Sequence, residues 1–144
     1  MTHAQQMVQI NPSQAPADES TLVECIEACF DCAQACTACA DAYIGEGDVQ
    51  MLGRCIRLDL DCTDVCDTTG RILSRQMGTE PQMLRASLQA CAEVCRLCAE
   101  ECENHAEHHE HCRVCAEACR RCEQACNSAS PQTPPNISIC RCKK

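Results

Sequence analysis

Four files of cysteine constrain this chain more than any other feature. Cys25, Cys29, Cys32, Cys36 and Cys39 advance by steps of four and three residues; Cys91, Cys95, Cys98 and Cys102 repeat the rhythm, as do Cys112, Cys115, Cys119, Cys122 and Cys126. Cys55, Cys62 and Cys66 make a sparser file in the same register, with Asp59 on the stripe between the first two. Residues three or four apart share one face of an α-helix, so each file is a heptad seam and each CxxC or CxxxC pair aims two sulfurs into the same space.

The intervening residues separate these files into four helices. The first runs from Ser20 to about Ile44, and the break at Gly45-Glu46-Gly47-Asp48 leads to a second helix from about Val49 to Gln76. Gly78 ends it. Thr79 to Gln82 then has capping-box form, with Pro81 in the first turn of a third helix. A His-rich turn, roughly Asn104 to Glu110, opens the fourth. Residues 1–19, with Pro12 and Pro16, read as a polar, mobile tail holding at most a short helical piece, and residues 129–144, with Pro131, Pro134 and Pro135, as a second tail ending in Cys140 and Cys142. Residues 20–128 are then one metal-binding domain. Its expected fold is all-α, an up-down-up-down four-helix bundle with a cysteine-lined core, which buries every seam with short connections. Ile26, Phe30, Ile56, Val65, Val94, Leu97 and Val114 lie off the seams and serve either a broader core stripe or self-association.

Composition supports a core of thiols. Among 144 residues there is one Phe, one Tyr and no Trp, so cysteine must fill the space that larger side chains usually occupy. A single buried cysteine is best read as inert packing. Seventeen in register are not, because Leu, Ile and Val would pack better without oxidising. Disulfides fit poorly: a helix does not offer the geometry for bridges within itself, the total of 19 is odd, and the second file has three members. No Lys or Arg precedes Arg54 and no apolar run reaches about 18 residues, so neither a secretory signal nor a membrane span is expected. The expected compartment is the cytoplasm, where thiols stay reduced. A net charge of -9 argues against nucleic acid or an anionic membrane as partner.

Metal chemistry follows from the continuity of the files. Zinc takes discrete, closed sets of four ligands, and iron-sulfur clusters use small separated groups of cysteines. Copper(I) is soft, prefers thiolate and tolerates low coordination, and a thiolate can bridge two such ions. With two sulfurs per copper and two coppers per sulfur, capacity approaches one ion per helix thiol, and the loss of one proton per thiol leaves a filled interior neutral.

The two ends of the files differ. Leu22, Leu73, Leu84 and Leu88 continue the seams at one end and should close it. At the other end stand Tyr43, Leu52 with Met51, and His105 and His109, with His108 and His111 flanking the turn; imidazole and thioether are weaker, exchangeable ligands for copper(I), suited to admitting it. Met51 and the four histidines are therefore additional candidate ligands, the alternative being a solvated His-rich loop. Asp59 must either bind metal or accept a hydrogen bond, because a buried carboxylate without a partner is costly.

Residues 20–127 resemble the bacterial copper storage proteins, in their cytosolic branch. The resemblance rests on the four files and on the run from His105 through His108, His109, His111 and Cys112 to Cys115. It implies a homotetramer of four-helix bundles in the cytoplasm, with many copper(I) ions on the seventeen helix cysteines; the expected role is storage or detoxification, and a copper chaperone or small-molecule copper carrier is a candidate partner. It leaves open whether Asp59, Cys140 and Cys142 bind. The competing classes are a metallothionein-like buffer, which would be unfolded without metal, and a thiol or copper oxidoreductase, which needs an exposed low-pKa thiol that mid-helix pairs do not supply.

Overall fold

The computed structural model describes residues 1–13, 18–47 and 49–130. Every regular element among them is an α-helix: α1 (His3–Ile10), α2 (Glu19–Glu46), α3 (Gly53–Ser74), α4 (Pro81–His105) and α5 (Glu110–Ala129). None is long and apolar enough to cross a membrane.

The helix ends follow local chemistry. Asp18 caps α2 by accepting the Thr21 backbone N–H, and Gly47 ends it in the left-handed region (φ 77°) that a residue without Cβ adopts readily. α3 starts four residues later than its pattern suggests: Leu52 is buried at the N-cap, while Val49 and Met51 before it are exposed. The expected capping box at α4 does not form. Glu80 holds the N-cap position without a side-chain cap, and the Thr79 hydroxyl donates instead to the Gln76 carbonyl (3.1 Å), closing the turn around Gly78.

The long helices contact one another in a ring: α2 packs on α3 and α5, and α4 packs on the same two. All seventeen cysteines of the four files are buried and unbridged. Around them pack Ile26, Leu73, Leu88 and Ala99, with Leu22 and Leu84 partly buried at the leucine-rich end. Where α2 meets α3, the Phe30 ring lies over Gly70 so closely that a Cβ there would sit 3.0 Å from Phe30 Cζ. Arginines link neighbouring helices at the surface, Arg121 to Glu24 and Asp31, Arg120 to Glu103 and Arg54 to Glu101. Each exposed pair contributes less than about 1 kcal/mol.

α1 lies against α2. Val8 is buried, Ala4 packs against the core, and the Thr2 hydroxyl donates to the Glu27 carboxylate, so part of the N-terminal segment is docked.

Candidate metal centre

The sulfurs form one continuous column. From the leucine-rich end, Cys25 lies 3.8 Å from Cys126; Cys29, Cys91, Cys122 and Cys66 follow with separations of 3.7 to 4.0 Å. Cys66 passes to Cys95 at 3.5 Å and to Cys62 at 3.7 Å, and Cys62 to Cys32 at 3.7 Å. Cys32 reaches Cys119 at 3.7 Å, and Cys36 lies 3.6 Å from both Cys119 and Cys115. A disulfide needs sulfurs about 2.05 Å apart, so these are neighbouring thiols.

Sulfurs also group in fours, and the groups overlap. Cys29, Cys91, Cys122 and Cys126 form one; Cys32, Cys66, Cys95 and Cys122 another; Cys32, Cys36, Cys62 and Cys119 a third; Cys36, Cys98, Cys115 and Cys119 a fourth. Cys122, Cys32, Cys36 and Cys119 each belong to two groups, so independent four-sulfur sites cannot all be filled. A metal about 2.3 Å from each sulfur sets them about 3.8 Å apart in a tetrahedral site, about 4.0 Å in a trigonal one and about 4.6 Å in a linear one. The observed spacing suits metals of three or four neighbours with shared thiolates; a linear pair requires the sulfurs to part by about half an ångström or more.

Asp59 interrupts the column as part of it. Fully buried on α3, its Oδ1 accepts S–H bonds from Cys98 (3.2 Å), Cys115 (3.3 Å) and Cys102 (3.7 Å), while Oδ2 has no hydrogen-bond partner. It joins Cys39, Cys102 and Cys115 in a further candidate group. Burial, reinforced by the neighbouring Cys115, pushes its carboxyl up to about 8. A neutral acid, or a carboxylate held by a cation, is the state this place favours.

At the far end Tyr43 is fully buried, with its hydroxyl 2.9 Å from Cys55 Sγ and in contact with Cys112 Sγ. Burial raises the Tyr43 phenol, and it raises the Cys112 thiol to about 11. Hydrogen bonding from Cys102 holds Cys55 lower, at about 7.

Three of the predicted histidines gather here. His111 Nδ1 lies 3.2 Å from Cys39 Sγ and 3.7 Å from Cys112 Sγ. The His109 and His111 ring centroids are 5.4 Å apart, those of His105 and His109 6.5 Å, and the Tyr43 ring stands edge-on to His111 at 4.6 Å. Two candidates stay out. His108 is exposed in the α4–α5 turn, and Met51 is 80% exposed, because the late start of α3 leaves it on the turn before Leu52. Cys140 and Cys142 lie outside the described residues.

Sequence reasoning missed Glu46, which accepts from His111 Nε2 at 2.9 Å and lies 2.6 Å from His109 Nδ1. The signal was available: carrying the four-three rhythm of α2 past Cys39 and Tyr43 lands on Glu46. It was hidden because the glycines on either side read as a break.

A helical protein whose buried interior is a run of overlapping thiol groups, with imidazoles at one end, is a thiolate-type multi-metal binder. Residues 18–131 match the copper storage protein family, and the chain belongs to it. The copper storage protein of Streptomyces lividans, in a structure loaded with 10 copper equivalents, is 52% identical with a TM-score of 0.84, covering 87% of this chain and 96% of that one. A five-copper structure of the cytosolic copper storage protein from the same organism is 58% identical with a TM-score of 0.75, covering 77% and 92%. The uncharacterized cysteine-rich protein YhjQ of Bacillus subtilis (strain 168) is 38% identical over 71 residues, which span 49% of this chain and 62% of the Bacillus protein.

Proposed function

We propose that this protein stores copper(I) in the cytoplasm, holding many ions on the seventeen thiolates of an up-down-up-down four-helix bundle formed by α2 to α5, without catalysis. The observation that carries this reading is the overlap of the sulfur groups. Shared members such as Cys32, Cys36, Cys119 and Cys122 suit an ion that accepts bridging thiolates, and they deny zinc the separate closed tetrahedra it prefers. Likeness to the cytosolic Streptomyces protein supports both the cargo and the compartment.

The bundle domain, residues 20–128, carries the metal. Asp59 serves as a ligand or as the hydrogen-bond acceptor of the thiols around it, and His105, His109 and His111 receive copper at the mouth. Each ion displaces a thiol proton, so loading releases acid while the interior remains near neutral. A homotetramer fits the apolar residues left at the surface, Phe30, Leu60 and Val114 among them. Copper arrives on, and leaves to, a chaperone or a small-molecule carrier, since free copper(I) would bind other thiols.

The test is an anaerobic copper(I) titration of reduced, metal-free protein, with gel filtration, metal analysis and far-UV circular dichroism. Co-elution of copper near the thiol count, on a chain already helical when empty, supports the reading. Saturation at a few ions, or helicity that appears only with zinc, sends it to a metallothionein-like buffer.

A further inference from the structure

We propose that Glu46 is a positioning residue for copper uptake: it locks the His111 ring so that Nδ1 faces the first thiols of the column. The inference rests on the storage reading above and adds a residue that neither cysteine spacing nor the histidine run singles out.

The geometry assigns the His111 tautomer. An ionised carboxylate only accepts hydrogen bonds, so the His111 Nε2 that lies 2.9 Å from Glu46 Oε1 carries the proton. In the neutral ring the lone pair then sits on Nδ1, which accepts from the Cys39 thiol at 3.2 Å and faces Cys112 Sγ at 3.7 Å. A soft cation arriving at Nδ1 takes the place of the Cys39 proton and meets two sulfurs and a nitrogen at once. The other oxygen, Oε2, lies 2.6 Å from His109 Nδ1, an ion-pair contact that holds the second ring beside the carboxylate. One carboxylate thus fixes the tautomer of His111 and keeps His109 close beside it.

The surroundings hold this arrangement from both sides. Glu46 is the last residue of α2, set by the turn at Gly47, and the Tyr43 ring one turn earlier stands edge-on to His111 at 87°. His105 is engaged separately, by Glu101 at 3.3 Å, so Glu46 is the carboxylate of the inner two histidines. A carboxylate behind a ligating imidazole orients the ring and raises its basicity, and losing it typically costs about 10- to 100-fold in affinity or activity. The competing account is a surface latch that ties the end of α2 to the start of α5 and has no bearing on copper.

The experiment uses full-length, reduced, metal-free protein with ring-15N-labelled histidine, as wild type, Glu46→Ala and Glu46→Gln. Long-range 1H–15N spectra report the His111 tautomer, and stopped-flow absorbance follows transfer of the first copper(I) from a coloured chelator. Wild type should show protonated Nε2. Glu46→Gln, whose amide oxygen still accepts that proton, should keep the tautomer and most of the rate. Glu46→Ala should mix the tautomers and slow the first transfer about tenfold, with the final copper count unchanged. A wild-type tautomer and rate in Glu46→Ala overturn the proposal, as does Glu46→Gln slowing as much as Glu46→Ala with its tautomer intact. Failure of the storage reading shows instead in the wild type, as saturation at a few ions, and removes the uptake role with it.

Discussion

At the scale of single residues, Asp59 sets the conditions under which the empty protein is stable. Its carboxyl ionises near 4 in an unfolded chain and near 8 when folded, so between those values the folded state holds a proton that the unfolded state has lost. Folding then binds protons, and stability contributed by this site is complete at low pH and falls as pH rises toward 8. Asp59→Asn removes the titration while retaining an oxygen for the S–H bonds of Cys98 and Cys115. Metal-free Asp59→Asn should match wild type near pH 4 and exceed it by a few kcal/mol at pH 8, read by urea denaturation at both values. A constant difference would mean that packing, not ionisation, governs the site. The seam pattern located this residue, since Asp59 falls on the stripe between Cys55 and Cys62. That Oδ1 is shared by three thiols on other helices depends on how α3, α4 and α5 meet, which no spacing within α3 encodes.

At the scale of elements, the four long helices were legible because cysteine marks most of their buried turns, but their ends and close approaches were not. The capping box failed because the Thr79 hydroxyl has a nearer carbonyl to satisfy at Gln76. α1 was faint in the sequence because an eight-residue helix with one fully packed side chain, Val8, carries little periodicity. Gly70 is the clearest case. Inside α3 it looks like a weak point, yet it makes room for the Phe30 ring of α2. Gly70→Val forces that ring outward and should destabilise the metal-free protein by about 1–3 kcal/mol, with the copper count unchanged by metal analysis. At the leucine-rich end, Leu88 is 1% exposed, and Leu88→Ala should cost about 2–5 kcal/mol through the cavity it leaves. Thermal melts of the two variants, with and without copper, would separate scaffold from site: both should lose stability when empty and both should fill.

At the scale of the whole molecule, what matters is whether the column is one site or many. If each copper had its own pair of sulfurs, deleting any two cysteines would remove a similar amount of copper. The overlapping groups imply otherwise. Cys36 lies within 4.0 Å of Cys32, Cys98, Cys115 and Cys119, and together with Cys119 it belongs to both central groups. Cys25, at the leucine-rich end, reaches Cys126 at 3.8 Å and contributes to the column from its rim. A Cys36→Ala/Cys119→Ala variant should therefore lose more copper than Cys25→Ala/Cys126→Ala, although each lacks two thiols, because the central pair bridges ions that the remaining sulfurs cannot hold alone. Metal analysis after anaerobic loading and gel filtration measures both losses. Equal losses would establish that the ions bind independently and that the thiols act as separate pairs; an excess at the centre would establish that capacity belongs to the connected column, which explains why its cysteines recur through successive turns of four helices.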